Sequence, residues 1–159
     1  MRSCYIHIPF CKKRCIYCDF YSTTDNRLTE RYIEILEREL LSRIDEIGKE
    51  EVSTIYIGGG TPSQLSLAQL SHLVNTLRCV INFEKVGEFT IEVNPDDVTF
   101  EYMKGCRELG INRVSMGIQS FVDAELAAIN RRHNSNQAVE AVKIMRSVGF
   151  DNISIDLIY

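Results

Sequence analysis

The sequence lacks the features of a membrane protein or a nucleic-acid-binding protein. Its 159 residues contain no run of 18 consecutive apolar residues, so we expect no membrane-spanning helix. The 18 basic residues do not outnumber the 22 acidic ones, and the net charge of −4 gives no indication of a nucleic-acid partner. The strand-like start has no signal-peptide pattern. Since the six cysteines also show no obvious pairing, we expect a reducing, cytoplasmic compartment.

The composition is that of an ordinary globular domain. Hydrophobic residues make up 45% of the chain and charged residues 25%. A chain of this length can form one domain with a real core.

Three of the six cysteines are closely spaced. Cys11, Cys15 and Cys18 follow the pattern C-x3-C-x2-C. Three thiolates are one short of the four that fill an iron–sulfur cube or a structural zinc site. A cube held by three cysteines leaves one iron open to a small ligand. The alternative is a zinc site with His7 or Asp19 as the fourth ligand, although the chain has only three histidines.

The other three cysteines are isolated in the sequence. Cys4 lies in a predicted strand, and Cys79 and Cys106 lie on predicted helices. We expect each of them to be a small buried apolar residue.

Short β-type runs alternate along the chain with longer helical patterns. The predicted strands cover residues 4–8, 52–57, 88–93, 113–118 and 153–158. The predicted helices cover residues 31–47, a segment opened by a capping box at Ser66, and residues 100–109 and 137–148. Thr29 is the expected N-cap of the first helix, and Gly48 is expected just after its end.

This alternation predicts an α/β fold with a parallel sheet that curls toward a barrel. A complete eightfold barrel needs about 250 residues. Five parallel strands are too few to close one, so residues 1–159 are expected to be the N-terminal part of a longer domain.

The distinctive polar and glycine-rich positions all lie at or just after the carboxyl ends of predicted strands. They are the cysteine loop, Gly58–Thr61, Glu92 with Asn94, Gln119 and Asp156. In parallel βα barrels, ligands bind at the carboxyl ends of the strands. We therefore expect these loops to form one ligand site.

Each of these positions also has a simpler interpretation. The glycines could present backbone N–H groups to an anion, or they could only form a tight turn. Glu92 and Asp156 could hold ribose hydroxyls, or they could cap a helix or form an ion pair. Tyr5 and Gln119 are equally ambiguous. The basic run Lys12–Arg14 could attract anionic ligands or be a solvated loop tip.

Five ordered blocks resemble one family. They are YIHIPFC (5–11), GGGTPS (58–63), TIEVNP (90–95), SMGIQSF (115–121) and NISIDLIY (152–159). Together with the cysteine spacing, they resemble the radical S-adenosylmethionine (SAM) superfamily, in the branch containing oxygen-independent coproporphyrinogen III oxidase and the haem chaperone HemW. The resemblance implies an incomplete six-stranded βα barrel whose pattern continues past Tyr159.

The resemblance also implies the cofactors and their ligands. Cys11, Cys15 and Cys18 would hold a [4Fe–4S] cluster whose free iron is chelated by SAM. Arg131 would reach the SAM carboxylate, where a guanidinium can form two parallel hydrogen bonds, unless it is a solvated surface residue. Tyr17 would face the adenine. The remaining expected SAM-binding residues are Tyr5, Gly59, Gly60, Thr61, Glu92, Gln119 and Asp156.

Two functions remain open from the sequence. The first is a haem chaperone that resembles HemW and passes haem to apo-proteins. The second is an oxidative decarboxylase of coproporphyrinogen III, in which a 5′-deoxyadenosyl radical abstracts a hydrogen from a propionate side chain. The oxidase pattern carries a further cysteine two residues after Cys18. Phe20 occupies that position here, which favours the chaperone. A plain electron-transfer protein would not explain Arg131.

The resemblance also implies binding partners. They are haem or a porphyrinogen, a reducing electron donor and, for a chaperone, haem-accepting apo-proteins. The haem-binding residues are expected beyond Tyr159, in the full-length protein.

Overall fold

A computed structural model describes residues 2–47 and 52–159, so Gly48 and its predicted role at a helix end lie outside the described residues. Five parallel strands form one sheet in the order β1-β2-β3-β4-β5. They are β1 (Arg2–Ile8), β2 (Val52–Gly59), β3 (Glu88–Val93), β4 (Arg113–Gln119) and β5 (Asn152–Leu157). The predicted parallel α/β sheet is confirmed.

Helices connect the strands. They are α1 (Thr29–Ser42), α2 (Ile44–Ile47), α3 (Leu67–Val80), α4 (Phe100–Glu108), α5 (Asp123–Ala128) and α6 (Ser135–Ser147). Helix α3 begins with the predicted capping box, in which the Ser66 side chain accepts from the Gln69 N–H. No helix within the described residues is long and apolar enough to cross a membrane.

Three details of the helices differ from the prediction. The predicted helix 31–47 breaks at Arg43 into α1 and α2. Thr29 is the first residue of α1 and not its cap, because a 3₁₀ turn capped by Asp25 runs directly into the helix. The six-residue helix α5 follows β4, and it is too short to give a periodic signal in the sequence.

Alternation along the strands separates the core from the opposite face of the sheet. In β4, Val114, Met116 and Ile118 are fully buried in the main core. Successive side chains of a strand point to opposite faces, so Ser115 and Gln119 lie on the other face. That face therefore carries the side chains available to a ligand.

The isolated cysteines do not all behave as predicted. Cys106 is buried in the core, and Cys4 is half-buried. Cys79 is exposed, so the prediction of a buried role was wrong for this residue. The buried side of α3 carries Val74, Leu77 and Val80, and a residue two positions after Leu77 lies away from that side.

Candidate functional site

A cavity of about 730 Å³, counted with the solvent space at its mouth, lies at the carboxyl ends of the strands. Every predicted site residue except Tyr5 lines it. The lining residues predicted from the sequence are Cys11, Cys15, Tyr17, Cys18, Gly59, Gly60, Thr61, Glu92, Gln119, Arg131 and Asp156. The structure thus brings six separate segments of the chain together at the strand ends, as expected from the parallel topology.

Tyr5 lies beside this cavity and not in its wall. Its hydroxyl is 3.2 Å from His7 Nδ1, and its ring stacks on Tyr56 with 6.0 Å between centroids. Partial burial and the nearby Glu92 carboxylate raise the pKa of Tyr5. Tyr5 therefore belongs to the same region of the sheet, further from the strand ends.

The three cysteines of the loop after β1 have free thiols, and all three line the cavity. Cys11 is buried, its N–H donates to Thr23 O at 2.9 Å, and the Thr61 hydroxyl lies 3.4 Å from its Sγ. Cys15 and Cys18 are joined by a turn in which Cys18 N donates to Cys15 O at 3.2 Å. All six cysteines of the chain are free.

A mononuclear site with a fourth ligand from the loop has little support. The zinc alternative named His7 and Asp19, and neither lines the cavity. The two His7 nitrogens already contact Tyr5 and the Tyr21 carbonyl. Across residues 2–47 and 52–159, no three His, Cys, Asp or Glu side chains stand close enough to hold a single metal ion.

The glycine run packs its backbone tightly against β1. A Cβ on Gly60 would lie 2.8 Å from the Pro9 carbonyl, and Gly59 has a φ of +118°. Glycine is the residue that fits such a close approach and such a φ. The missing Cβ atoms therefore allow close packing against Pro9 and the His7 ring, while both glycines also line the cavity.

The N–H groups of this run do not point at a ligand as one interpretation of the sequence expected. Gly59 N donates to Glu92 Oε2 at 2.9 Å, and Gly60 N donates to Ile8 O at 2.8 Å. That expectation was wrong for these two residues, because neighbouring strands supply their acceptors.

Glu92 is held in a fixed orientation. Besides the Gly59 N–H, its carboxylate accepts the Tyr56 hydroxyl at 2.7 Å. Burial and this hydrogen bond raise the pKa of Tyr56 to about 12, so the phenol remains a donor. Glu92 thus joins the ends of β2 and β3 while lining the cavity.

Arg131 reaches into the cavity from the loop after α5. Its Nη2 donates to Asn94 Oδ1 at 3.0 Å and to the Gly117 carbonyl. Its Nη1 lies 3.4 Å from Cys15 Sγ and 3.5 Å from the Tyr17 hydroxyl. Burial raises the pKa of Tyr17 to about 12 despite this positive charge.

Arg131 Nε is buried and has no hydrogen-bond partner within the described residues. The guanidinium therefore has one N–H that no described protein group satisfies, and the residue also lines the cavity, where its positive charge suits a carboxylate. The arginine is not the solvated surface residue of the alternative interpretation.

Eight further residues of the wall were not among the predicted binding residues. They are Lys13, Arg14, Phe20, Ser22, Val93, Asn94, Ser115 and Gly117. Ser115 and Gly117 precede Gln119 at two-residue intervals on β4, so strand alternation could have placed them on the same face. His133 is buried outside the cavity wall, with Nε2 3.0 Å from Ile118 O.

The residues present fit an iron–sulfur cluster with a carboxylate-bearing ligand. Three free thiols supply the ligand type that such clusters use. Arg131 lines the same cavity and supplies a positive charge that can bind a carboxylate.

Comparison with known proteins agrees with this geometry. The model of the radical SAM superfamily matches residues 5–159. The chain is 40% identical over 161 residues to the haem chaperone HemW of Bacillus subtilis, covering all of this chain and 42% of that protein. It is 35% identical over 159 residues to the oxygen-independent coproporphyrinogen III oxidase of Escherichia coli, covering 99% of this chain and 35% of that protein.

The solved structure of Escherichia coli coproporphyrinogen III oxidase, described as a radical SAM enzyme, superposes with a TM-score of 0.90. Its sequence identity is 34%, and the match covers 99% of this chain and 37% of that one. The chain thus spans about two fifths of the length of the HemW protein it matches. The predicted incomplete barrel agrees with this fold.

Proposed function

The chain belongs to the radical SAM superfamily, and from that premise we propose that it is the cluster-binding and SAM-binding part of a haem chaperone resembling HemW. The observation that carries the proposal is the single cavity lined by Cys11, Cys15, Cys18 and Arg131. SAM and a [4Fe–4S] cluster are the cofactors that membership of this family implies. We further propose that residues 1–159 form the N-terminal part of the radical SAM core domain.

Each side chain has a role in this proposal. The three cysteine thiolates hold the cluster. The guanidinium group of Arg131 binds the SAM carboxylate. Tyr17, beside Arg131, packs against the adenine. Gly59, Gly60 and Thr61 form the floor near the amino group.

The acidic residues complete the SAM site. Glu92 and Asp156 accept hydrogen bonds from ribose hydroxyls, and Gln119 contributes an amide nearby. Tyr56 and the Gly59 N–H keep the Glu92 carboxylate in place before the ligand arrives. When bound, the cluster and SAM supply the one-electron chemistry, while the protein supplies binding, orientation and shielding.

Phe20 favours the chaperone over the oxidase. It lines the cavity and is 69% exposed, at the position where the oxidase pattern carries a further cysteine. The HemW relative is also the more similar of the two by identity, 40% against 35%. The oxidase is the second candidate, because its solved structure superposes on nearly the whole chain.

Assays of haem transfer and of coproporphyrinogen III decarboxylation distinguish the two candidate functions. The full-length protein that contains this chain would be reconstituted anaerobically and assayed for haem transfer to an apo-cytochrome and for decarboxylation of coproporphyrinogen III. We expect haem transfer without decarboxylation. Decarboxylation dependent on SAM would replace the chaperone proposal with the oxidase. A reducing electron donor is a partner in either case, and the cytoplasm is the proposed location.

A further inference from the structure

A buried carboxylate outside the cavity accepts hydrogen bonds from side chains of several loops. The Asp97 side chain is only 3% exposed. Its two oxygens accept hydrogen bonds from four side chains at 2.6–3.3 Å: Lys12, Ser63, Gln64 and Arg132. This cluster could not be predicted from the sequence, because its members lie in four separate segments.

The partners of Asp97 are neighbours of cavity residues. Lys12 follows Cys11 directly, and Arg132 follows Arg131 directly. Ser63 lies two residues after Thr61. Asp97 therefore fastens the loops that carry a cluster cysteine, the SAM-binding arginine and the threonine that contacts Cys11 Sγ.

The same network reaches the end of β3. The Ser63 hydroxyl, which donates to Asp97, also accepts the Asn94 N–H at 3.2 Å. Asn94 in turn accepts from Arg131 Nη2.

The charges in this network are balanced. Arg132 Nη2 lies 2.7 Å from Asp96 Oδ2 and 3.3 Å from Asp97 Oδ2, and Lys12 Nζ lies 2.9 Å from Asp97 Oδ1. Two cations thus face two carboxylates. Removing one partner of a buried pair leaves the other unpaired, which is more costly than losing an exposed pair.

We propose that Asp97 is a positioning residue that holds the cysteine loop in its cluster-binding arrangement through Lys12. The inference rests on the proposed function, in which Cys11, Cys15 and Cys18 hold a cluster. At the Cys11 end of the loop, the Lys12 contact adds to the hydrogen bond from Cys11 N to Thr23 O. The far end is attached separately. There, Asn130 Nδ2 donates to Arg14 O at 2.8 Å, and Ile16 N donates to Ile129 O at 3.4 Å.

The Asp97→Asn variant tests this role. Asparagine keeps the size of the side chain but places an NH₂ group among four donors, so the contacts to Lys12 and Arg132 weaken. After anaerobic reconstitution, we expect iron to be lost to a chelator roughly tenfold faster than from the wild type, the size of one charge-assisted hydrogen bond. We also expect a changed electron paramagnetic resonance spectrum of the reduced cluster, which general destabilisation would not produce.

The matched control is Asp25→Asn. It removes a carboxylate of the same type near the same loop, and within residues 2–47 and 52–159 the Asp25 side chain pairs only with the exposed Arg27. We expect wild-type chelator resistance from this variant.

A second variant keeps the test valid if Asp97→Asn fails to fold. Lys12→Met removes only the contact from the cysteine loop, and the Lys12 side chain is 54% exposed, so the fold should survive. We expect faster iron loss here as well, and in the double variant a loss no greater than that of Asp97→Asn alone.

The outcomes distinguish this inference from the proposed function. A wild-type protein that takes up no cluster would overturn the proposed function itself. A wild type that holds its cluster, with Lys12→Met or folded Asp97→Asn losing iron at the wild-type rate, would overturn the role of Asp97 alone.

Discussion

Replacing Arg131 by alanine should weaken SAM binding strongly. The guanidinium has a buried Nε without a partner within the described residues, and its Nη2 is held by Asn94 and Gly117. It is therefore oriented before the ligand binds. A hydrogen bond to a charged group contributes about 1.5–3 kcal/mol. Since about 1.4 kcal/mol corresponds to a factor of ten, we expect SAM affinity to fall by roughly tenfold to 150-fold.

Lysine at this position should give an intermediate affinity. It keeps the positive charge but lacks the planar fork that binds a carboxylate through two parallel hydrogen bonds. Arg31→Ala is the matched control, because it removes an arginine that pairs with Glu34 on the exposed side of α1. Its affinity for SAM should equal that of the wild type.

Isothermal titration of the anaerobically reconstituted proteins with SAM measures these affinities. Arg131 Nη1 also lies 3.4 Å from Cys15 Sγ, so the iron content of each variant must be measured first. Wild-type affinity in an Arg131→Ala protein with full iron content would refute the assignment of Arg131 to the SAM carboxylate.

Three further predictions concern the fold around the site. Gly60→Ala should lower the free energy of unfolding by about 1–3 kcal/mol, because the added Cβ would lie 2.8 Å from the Pro9 carbonyl; an unchanged urea midpoint would contradict this. Burial lowers the pKa of His133 from 6.5 to about 4. As the pH falls, His133 is therefore protonated in the unfolded state before it is protonated in the folded state. The free energy of unfolding should therefore fall between pH 6.5 and pH 4, by up to about 3 kcal/mol, and His133→Gln should remove that part of the pH dependence in urea titrations. The edge strand β5 exposes Leu157, followed by the exposed Ile158, so the 159-residue chain should self-associate in light scattering, and Leu157→Glu should reduce this; a monodisperse wild-type chain would contradict it.

The regular elements could be predicted from the sequence because their signals are local. The predicted strand at residues 88–93 has the observed bounds of β3, and the Ser66 capping box opens α3 as predicted. The site could be predicted at the level of its lining, since the ends of parallel strands meet at one edge whatever the details of packing.

The contacts within the site could not be predicted, because they depend on how separate segments meet. The Gly59 N–H finds Glu92 only through the register between β2 and β3. The four donors around Asp97 come from segments far apart in the chain. By contrast, the exposure of Cys79 could have been predicted from the helical phase of Leu77 and Val80.

Cys11, Cys15 and Cys18 are proposed to hold one [4Fe–4S] cluster. The most direct test is the iron and sulfide content, with the visible and electron paramagnetic resonance spectra, of six single Cys→Ala variants after anaerobic reconstitution. Cys4, Cys79 and Cys106 serve as controls for cysteine loss as such.

We predict that the cluster is lost in the Cys11, Cys15 and Cys18 variants and kept in the other three. An intact [4Fe–4S] cluster in the Cys15→Ala protein would contradict the account.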